Sequence, residues 1–309
     1  MSMTRTFLLL ALFVALPITV LATDTDSASE STTLTRGDGD AAPLAIMSAA
    51  KLCTRIGNKL GSVSVRECQR QNMAASGGVS VNGLPILIKT YPPLEQRRPL
   101  GRVLLVGGIH GDEYSSVSVV FKWMNILNKH HSGLFHWRIA PLVNPDGLLR
   151  DESQRMNANG VDLNRNFPMQ QDWQVALEDY WIEKTGRNPR RYPGSGPLSE
   201  PETRWLAAEI ERFQPDAIVS VHAPYGIVDY DGPRDGPQHL GRLYLELLGT
   251  YPGSLGRYAG IHLDKPLVTI ELPYAGIMPS DGEINDIWID LVRWLRDNLP
   301  AANVQMVTD

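Results

Sequence analysis

Cysteine is almost absent from this chain. Its two cysteines, Cys53 and Cys68, fall short of the Cys and His set that a structural zinc site normally requires. Positive charge is also in short supply. Lys and Arg number 29 against 34 Asp and Glu, a formal charge of -5, so the clustered basic footprint of a nucleic-acid binder is missing. Beyond residue 21 no apolar run approaches the length of a membrane span, about 20 residues. No Cys directly follows the apolar N-terminal run, which argues against a bacterial lipoprotein. No internal repeat is visible, so a solenoid is not indicated.

What is present suits one large domain with appendages: 309 residues, 43% of them hydrophobic, enough for a sizeable core. Arg5, the apolar run Phe7 to Leu21 and the small residue Ala22 read as a secretory signal over 1–22, and Pro17 in the run favours cleavage over a retained anchor. Residues 23–44 are rich in Ser, Thr, Asp, Ala and Gly and read as a disordered linker. In an exported chain an even, close Cys pair points to a Cys53–Cys68 disulfide, stapling a helical segment over 45–78. A catalytic unit over 79–300 and a short tail over 301–309 complete the expected organisation.

Periodicity supplies the fold class. Leu52, Ile56 and Leu60 lie at helical spacing, and Asn82-Gly83 marks a hairpin between strands in Val79 to Tyr91. Strands at Arg102 to Val106, His136 to Val143, Ala217 to Val221 and Leu267 to Glu271 alternate with helical patterns. Ser199-Glu200-Pro201-Glu202 reads as a capping box opening a helix to Phe213. A last helix, Glu283 to Leu299, gathers its apolar residues on one face. Such alternation implies an α/β fold, a mixed, mostly parallel sheet sandwiched between helices. Asp172 to Pro197 and Tyr225 to Gly260 lack periodicity and read as loops over a site.

The chemistry sits at the strand ends. Gly107-Gly108 lets the chain turn after the strand Arg102 to Val106, and His110-Gly111-Asp112-Glu113 follows. With His222, at the end of the strand Ala217 to Val221, these residues supply two His and one Glu, a ligand set for one catalytic zinc ion per chain. Between them run Asn144-Pro145-Asp146-Gly147 and Arg155-Met156-Asn157-Ala158-Asn159-Gly160-Val161-Asp162-Leu163-Asn164-Arg165-Asn166-Phe167-Pro168; Glu271-Leu272-Pro273 comes last.

These blocks, in this order, resemble the zinc carboxypeptidase family, most nearly its murein peptide amidase branch, from about Val79 to Leu299. The resemblance implies zinc held by His110, Glu113 and His222, with Glu271 as general base and Arg155 against the oxyanion. Asn164 and Arg165 would hold the substrate's terminal carboxylate, for which a guanidinium is well shaped. The family's mobile tyrosine falls on Tyr251 by position, with Tyr258 and Tyr244 as alternatives. Asp162 and Asn166 read as structural.

The implied substrate is a murein peptide, cut between γ-D-glutamate and meso-diaminopimelate in the periplasm or outside the cell. Arg257, with Asp229 and Asp231, is the expected partner set for the second amino acid head of diaminopimelate. A solvated loop face explains those three residues about as well. Competing readings are a general metallocarboxypeptidase, a D,L-carboxypeptidase trimming muropeptides, an N-acyl amino acid deacylase and a silent binding protein. Retention of the base and both arginines argues against the last.

Overall fold

A computed structural model describes residues 47–170 and 172–299. The signal peptide, the linker and the tail expected at 1–22, 23–44 and 301–309 lie outside the described residues. Among the described residues nine strands form one sheet, in the order β1-β2-β4-β3-β5-β9-β6-β8-β7. They are β1 (Ala74–Val79), β2 (Pro85–Tyr91), β3 (Arg102–Val106), β4 (His136–Ala140), β5 (Ala217–His222), β6 (Ile227–Asp231), β7 (His239–Leu240), β8 (Leu243–Leu245) and β9 (Leu267–Glu271). The centre, β4-β3-β5-β9, is parallel. β2 joins one side of it antiparallel and β6 joins the other. The sheet is thus mixed around a parallel core, the arrangement that places a site at the carboxyl ends of the strands.

β3 shows how the sequence makes a two-sided sheet. It is apolar without alternation, as a strand covered on both faces must be. Val103 and Leu105 pack in one core with Val117, Val120, Phe121 and Trp123 of helix α3 (Tyr114–His130). Leu104 and Val106 pack in a second core with Leu206, Ile210 and Phe213, which lie on a helix over Pro201–Phe213. A helix over Asp281–Asn298 adds Ile284, Ile287, Trp288, Leu291 and Leu295 to the first core. Its start is fixed by a capping box between Ser280 and Glu283.

Several local expectations shift. The hairpin around Gly83 has the longer connection 80–84, and β1 begins at Ala74. No capping box forms at Ser199. Glu200 is the N-cap without a side-chain cap bond, because Ser199 Oγ donates to the Glu200 carboxylate and Glu202 accepts from the Val81 amide. The stretch Tyr225 to Gly260 is not all loop. It contains β6, β7 and β8 and enters a wide helical turn, Gly256–His262. Asp172 to Pro197 holds a short helix (Trp173–Ala176) running into a wide turn (Leu177–Lys184).

Ahead of the sheet, helices α1 (Ala49–Lys59) and α2 (Val65–Arg70) are joined by a Cys53–Cys68 disulfide. Leu52 and Ile56 enter the first core. Lys122 Nζ bonds Glu67 at 3.0 Å, tying α2 to α3. The bridge closes a segment of 15 residues, worth about 3 kcal/mol in the chain-entropy view. A Cys53→Ser/Cys68→Ser variant is expected to melt on the order of 10 °C lower. Its turnover should change by less than a few-fold, because neither helix lines the catalytic cavity. An unchanged melting temperature would show that packing alone holds the segment.

Candidate active site

Three loops meet at the carboxyl ends of β3, β5 and β9. After β3 the chain turns at Gly108, whose φ of +60 is a conformation L side chains avoid. The turn carries His110 to the end of the sheet. Glu113 is then the N-cap of α3. β5 ends on His222, and β9 pairs with it in parallel so that His222 and Glu271 stand side by side. Local strand register therefore fixes the distance between the proposed ligand and the proposed base.

His110 Nδ1 lies 2.7 Å from Glu113 Oε1 and 3.1 Å from His222 Nδ1, and His222 Nδ1 lies 3.1 Å from Glu113 Oε2. All three side chains are buried. The outer nitrogens are committed elsewhere: His110 Nε2 to Asp162 Oδ1 at 3.1 Å, and His222 Nε2 to Ser220 Oγ at 2.9 Å. A carboxylate on Nε2 keeps the proton there and leaves the Nδ1 lone pair facing inward. Two lone pairs and a carboxylate this close repel one another unless positive charge sits among them. Two imidazoles and one carboxylate, each braced from behind, match the ligand set of a catalytic zinc. Among the described residues this is the one cluster of His, Cys, Asp and Glu with donor atoms so convergent.

Asp162 does more than the structural work expected of it. Its second oxygen accepts from Arg155 Nε at 2.9 Å, so one buried carboxylate aims both His110 and the guanidinium expected at the oxyanion. Burial opposes its ionisation, yet Arg155 and His110 hold its carboxyl far below the ordinary value. The loop carrying Arg155 is fixed in turn by Asn157, which donates to Glu200 and Glu202. Asn166 is structural, its amide bonding Pro193, Gly196 and Ser199.

Glu271 is buried, and its Oε2 has no hydrogen-bond partner. Burial, the largest influence, raises its pKa against the opposing charge of His222. An unpartnered carboxylate oxygen beside a metal-type cluster is costly as a structural feature and apt for receiving a proton.

A cavity of about 390 Å³ opens over this cluster, lined by His110, Glu113, Arg155, Asn164, Arg165 and Glu271 among others. Arg165 is held by two aromatic rings. Its guanidinium lies 4.6 Å from the Tyr251 ring centre and 5.3 Å from that of Tyr180, and it donates to the Tyr180 hydroxyl at 3.2 Å. Of Tyr251, Tyr258 and Tyr244, Tyr251 lines the cavity. Tyr258 stacks on Phe167, and Tyr244 is exposed beside His239. Gly253 lets the Tyr251 loop close on Arg165, since a Cβ there would meet the Arg165 carbonyl oxygen at 2.0 Å. Asn164 Oδ1 accepts from Leu255 N at 2.8 Å.

One residue assignment shifts, and other wall residues were not anticipated. Arg257 is not among the residues lining the cavity, because the wide turn at Gly256–His262 puts Gly256 on the wall instead. Tyr180, with Lys184, Thr185, Asn188 and Arg191, does line it. These residues lie in Asp172 to Pro197, where no motif marks any one of them. An aperiodic stretch of that length was the available signal.

Asp229 and Asp231 also line the cavity, both largely buried. Burial, reinforced by Asp229, pushes the Asp231 carboxyl up to about 7. A folded-state value above the unfolded one means that the native state holds the proton more tightly. The cost of ionising Asp231 is therefore absent below about pH 4, grows between about 4 and 7, and is fully present above that. Asp231→Asn should raise the melting temperature at pH 8 by a few degrees and leave it unchanged at pH 4. An equal gain at both values would mean that Asp231 is not strained by its charge.

A buried His-Glu-His cluster at the strand ends of an α/β sandwich, with Glu271, Arg155 and Arg165 around one cavity, is the arrangement of a metal-dependent hydrolase. The profile of the zinc carboxypeptidase family matches residues 67–232, and the chain belongs to that family. It is 31% identical over 228 residues to murein peptide amidase A of Escherichia coli K12, covering 70% of this chain and 88% of that one. The same-named protein of Vibrio campbellii is 33% identical over 208 residues, 64% of this chain and 78% of its own. In solved structures, the murein-tripeptide amidase of Escherichia coli O157 matches with a TM-score of 0.52 at 27% identity, over 72% of this chain and 91% of that one. Carboxypeptidase A from Helicoverpa armigera shares the fold, with a TM-score of 0.57 at 17% identity, over 74% of this chain and 69% of that one. The chain is accordingly an enzyme of the metallopeptidase and amidase type.

Proposed function

We propose that this enzyme hydrolyses the amide between γ-D-glutamate and meso-diaminopimelate in murein peptides. The observation that carries the reading is the single cavity that holds the His-Glu-His cluster, Glu271, the Asn164–Arg165 clamp and the acid pair Asp229–Asp231 together. The relatives named murein peptide amidase A support the substrate class.

Zinc held by His110, Glu113 and His222 would polarise the scissile carbonyl and acidify water. Glu271, with a free oxygen beside His222, takes the proton of the attacking water and passes it to the leaving amine. Arg155, kept in place by Asp162, faces the oxygen that becomes negative. Asn164 and Arg165 fix the terminal carboxylate, and Tyr180 and Tyr251 hold the guanidinium in its plane. Asp229 and Asp231 give the distal ammonium of diaminopimelate a buried counter-charge. An exported location fits the substrate and the Cys53–Cys68 bridge, which persists in oxidising compartments. No described helix is long and apolar enough to cross a membrane.

The deciding experiment compares kcat/KM on Ala-γ-D-Glu-diaminopimelate with that on ordinary peptides ending in L-Phe or L-Arg. The γ-linked peptide is expected to be favoured at least about a hundredfold, because the ordinary ones leave the buried polar groups of the cavity unpaired. Equal rates would replace this reading with a general metallocarboxypeptidase.

A further inference from the structure

The turn Lys184 to Arg191 faces the catalytic cavity with four residues: Lys184, Thr185, Asn188 and Arg191. It is a built element. Trp181 Nε1 donates to the Asn188 carbonyl at 2.9 Å, Thr185 Oγ1 donates to the Trp181 carbonyl, and Asn188 Oδ1 accepts from Arg190 N. Gly186 and Arg187 reverse the chain with φ of +58 at each, and Lys184 and Arg191, on either side of the reversal, both line the cavity. Arg190 bonds Asp112 at 2.8 Å, fastening the turn to the loop that carries His110 and Glu113. Tyr180, at the base of the same segment, bonds Arg165.

Four cations and four carboxylates, Glu113, Asp229, Asp231 and Glu271, line the cavity, yet Lys184 and Arg191 pair with none of these acids. The cations are Arg155, Arg165, Lys184 and Arg191. Arg155 is engaged by Asp162, and Arg165 sits against the Tyr180 and Tyr251 rings in the clamp. Lys184 and Arg191 form no ion pair among the described residues, and they come from one turn aimed at one space. Two cations on the wall of one substrate cavity favour an anion there, and a carboxylate can serve both through charge-assisted bonds.

We infer that Lys184 and Arg191 form a subsite for a second substrate carboxylate, distinct from the terminal one held by Asn164 and Arg165. The inference rests on the murein-peptide reading above, whose substrate offers two such groups: the distal carboxylate of diaminopimelate and the free α-carboxylate of the γ-linked D-glutamate. Either one accounts for a preference over ordinary peptides, which have neither. The distal carboxylate would also take over the cation partnership that Arg257, off the cavity wall, does not supply.

The test uses the full-length zinc-loaded enzyme and three substrates: Ala-γ-D-Glu-diaminopimelate, its Lys analogue without the distal carboxylate, and its D-isoglutaminyl analogue without the α-carboxylate. The wild type should prefer the first over one analogue by about tenfold to a hundredfold in kcat/KM, the range for losing a charge-assisted contact. In a Lys184→Gln/Arg191→Gln variant, KM for the first substrate should rise by the same factor while kcat moves less than about threefold, and the preference should vanish. A Lys184→Arg/Arg191→Lys variant should restore it. Loss of the diaminopimelate-over-Lys preference identifies the distal carboxylate, and loss of the other preference identifies the α-carboxylate. An unchanged preference in the Gln variant, or an equal loss on all three substrates, overturns the subsite while leaving the murein-peptide reading intact. A wild type that cuts none of the three overturns that reading, and the subsite with it.

Discussion

Glu271→Gln is expected to retain its zinc and lose roughly 100- to 10,000-fold in kcat, the usual contribution of general acid-base catalysis. The substitution is nearly isosteric. It removes the one property the mechanism needs, a carboxylate oxygen free to take a proton. In the structure that oxygen is Oε2, buried and without a partner beside His222. The three metal-type donor atoms belong to other residues, so metal content measured by mass spectrometry or absorption should stay at the wild-type level. KM should change little, since the carboxylate clamp lies on Asn164 and Arg165. A kcat within a few-fold of wild type would remove Glu271 from the role of base. A variant that lost its metal as well would make Glu271 a ligand.

His110→Ala should abolish both metal and turnover. His110 meets Glu113 and His222 at 2.7 and 3.1 Å, and deleting it leaves one imidazole and one carboxylate, below the three protein ligands of a catalytic zinc. It also strands Asp162, which is fully buried and braces His110 from behind. A buried carboxylate stripped of a partner is destabilising, so a lower melting temperature should accompany the metal loss. Two readouts keep the test clean. Added zinc should restore wild-type activity to a metal-stripped wild type and not to the variant. Circular dichroism should show that the variant still folds. Full zinc occupancy with normal turnover in His110→Ala would refute the site.

The sequence was sufficient for the part of this protein that depends on local rules and ordered motifs. β3 and β9 occupy the expected residues, because short apolar runs bounded by Gly and Pro have few other options. The His-Glu-His cluster and Glu271 were legible as candidates because His222 and Glu271 end strands and His110 and Glu113 follow one, each inside a motif. The fold class followed from the alternation of strands and helices.

Tertiary structure alone decided which distant segments share the cavity. Tyr180, Lys184 and Arg191 belong to a stretch without periodicity or motif, and their role comes from where a wide helical turn and the Gly186–Arg187 reversal carry them. Arg257 failed as a wall residue for the same kind of reason: one residue along a helical turn rotates a side chain by about 100°, and sequence spacing does not record which way the turn faces. Asp162 looked structural because a single carboxylate bracing both His110 and Arg155 is a fact of packing. That Tyr251 lines the cavity while Tyr258 and Tyr244 do not depends on the close approach of Gly253 to Arg165, between residues 88 positions apart in the chain. Local propensity acts over a few neighbours. The cavity is assembled from loops at the ends of non-adjacent strands, and only the folded chain brings them together.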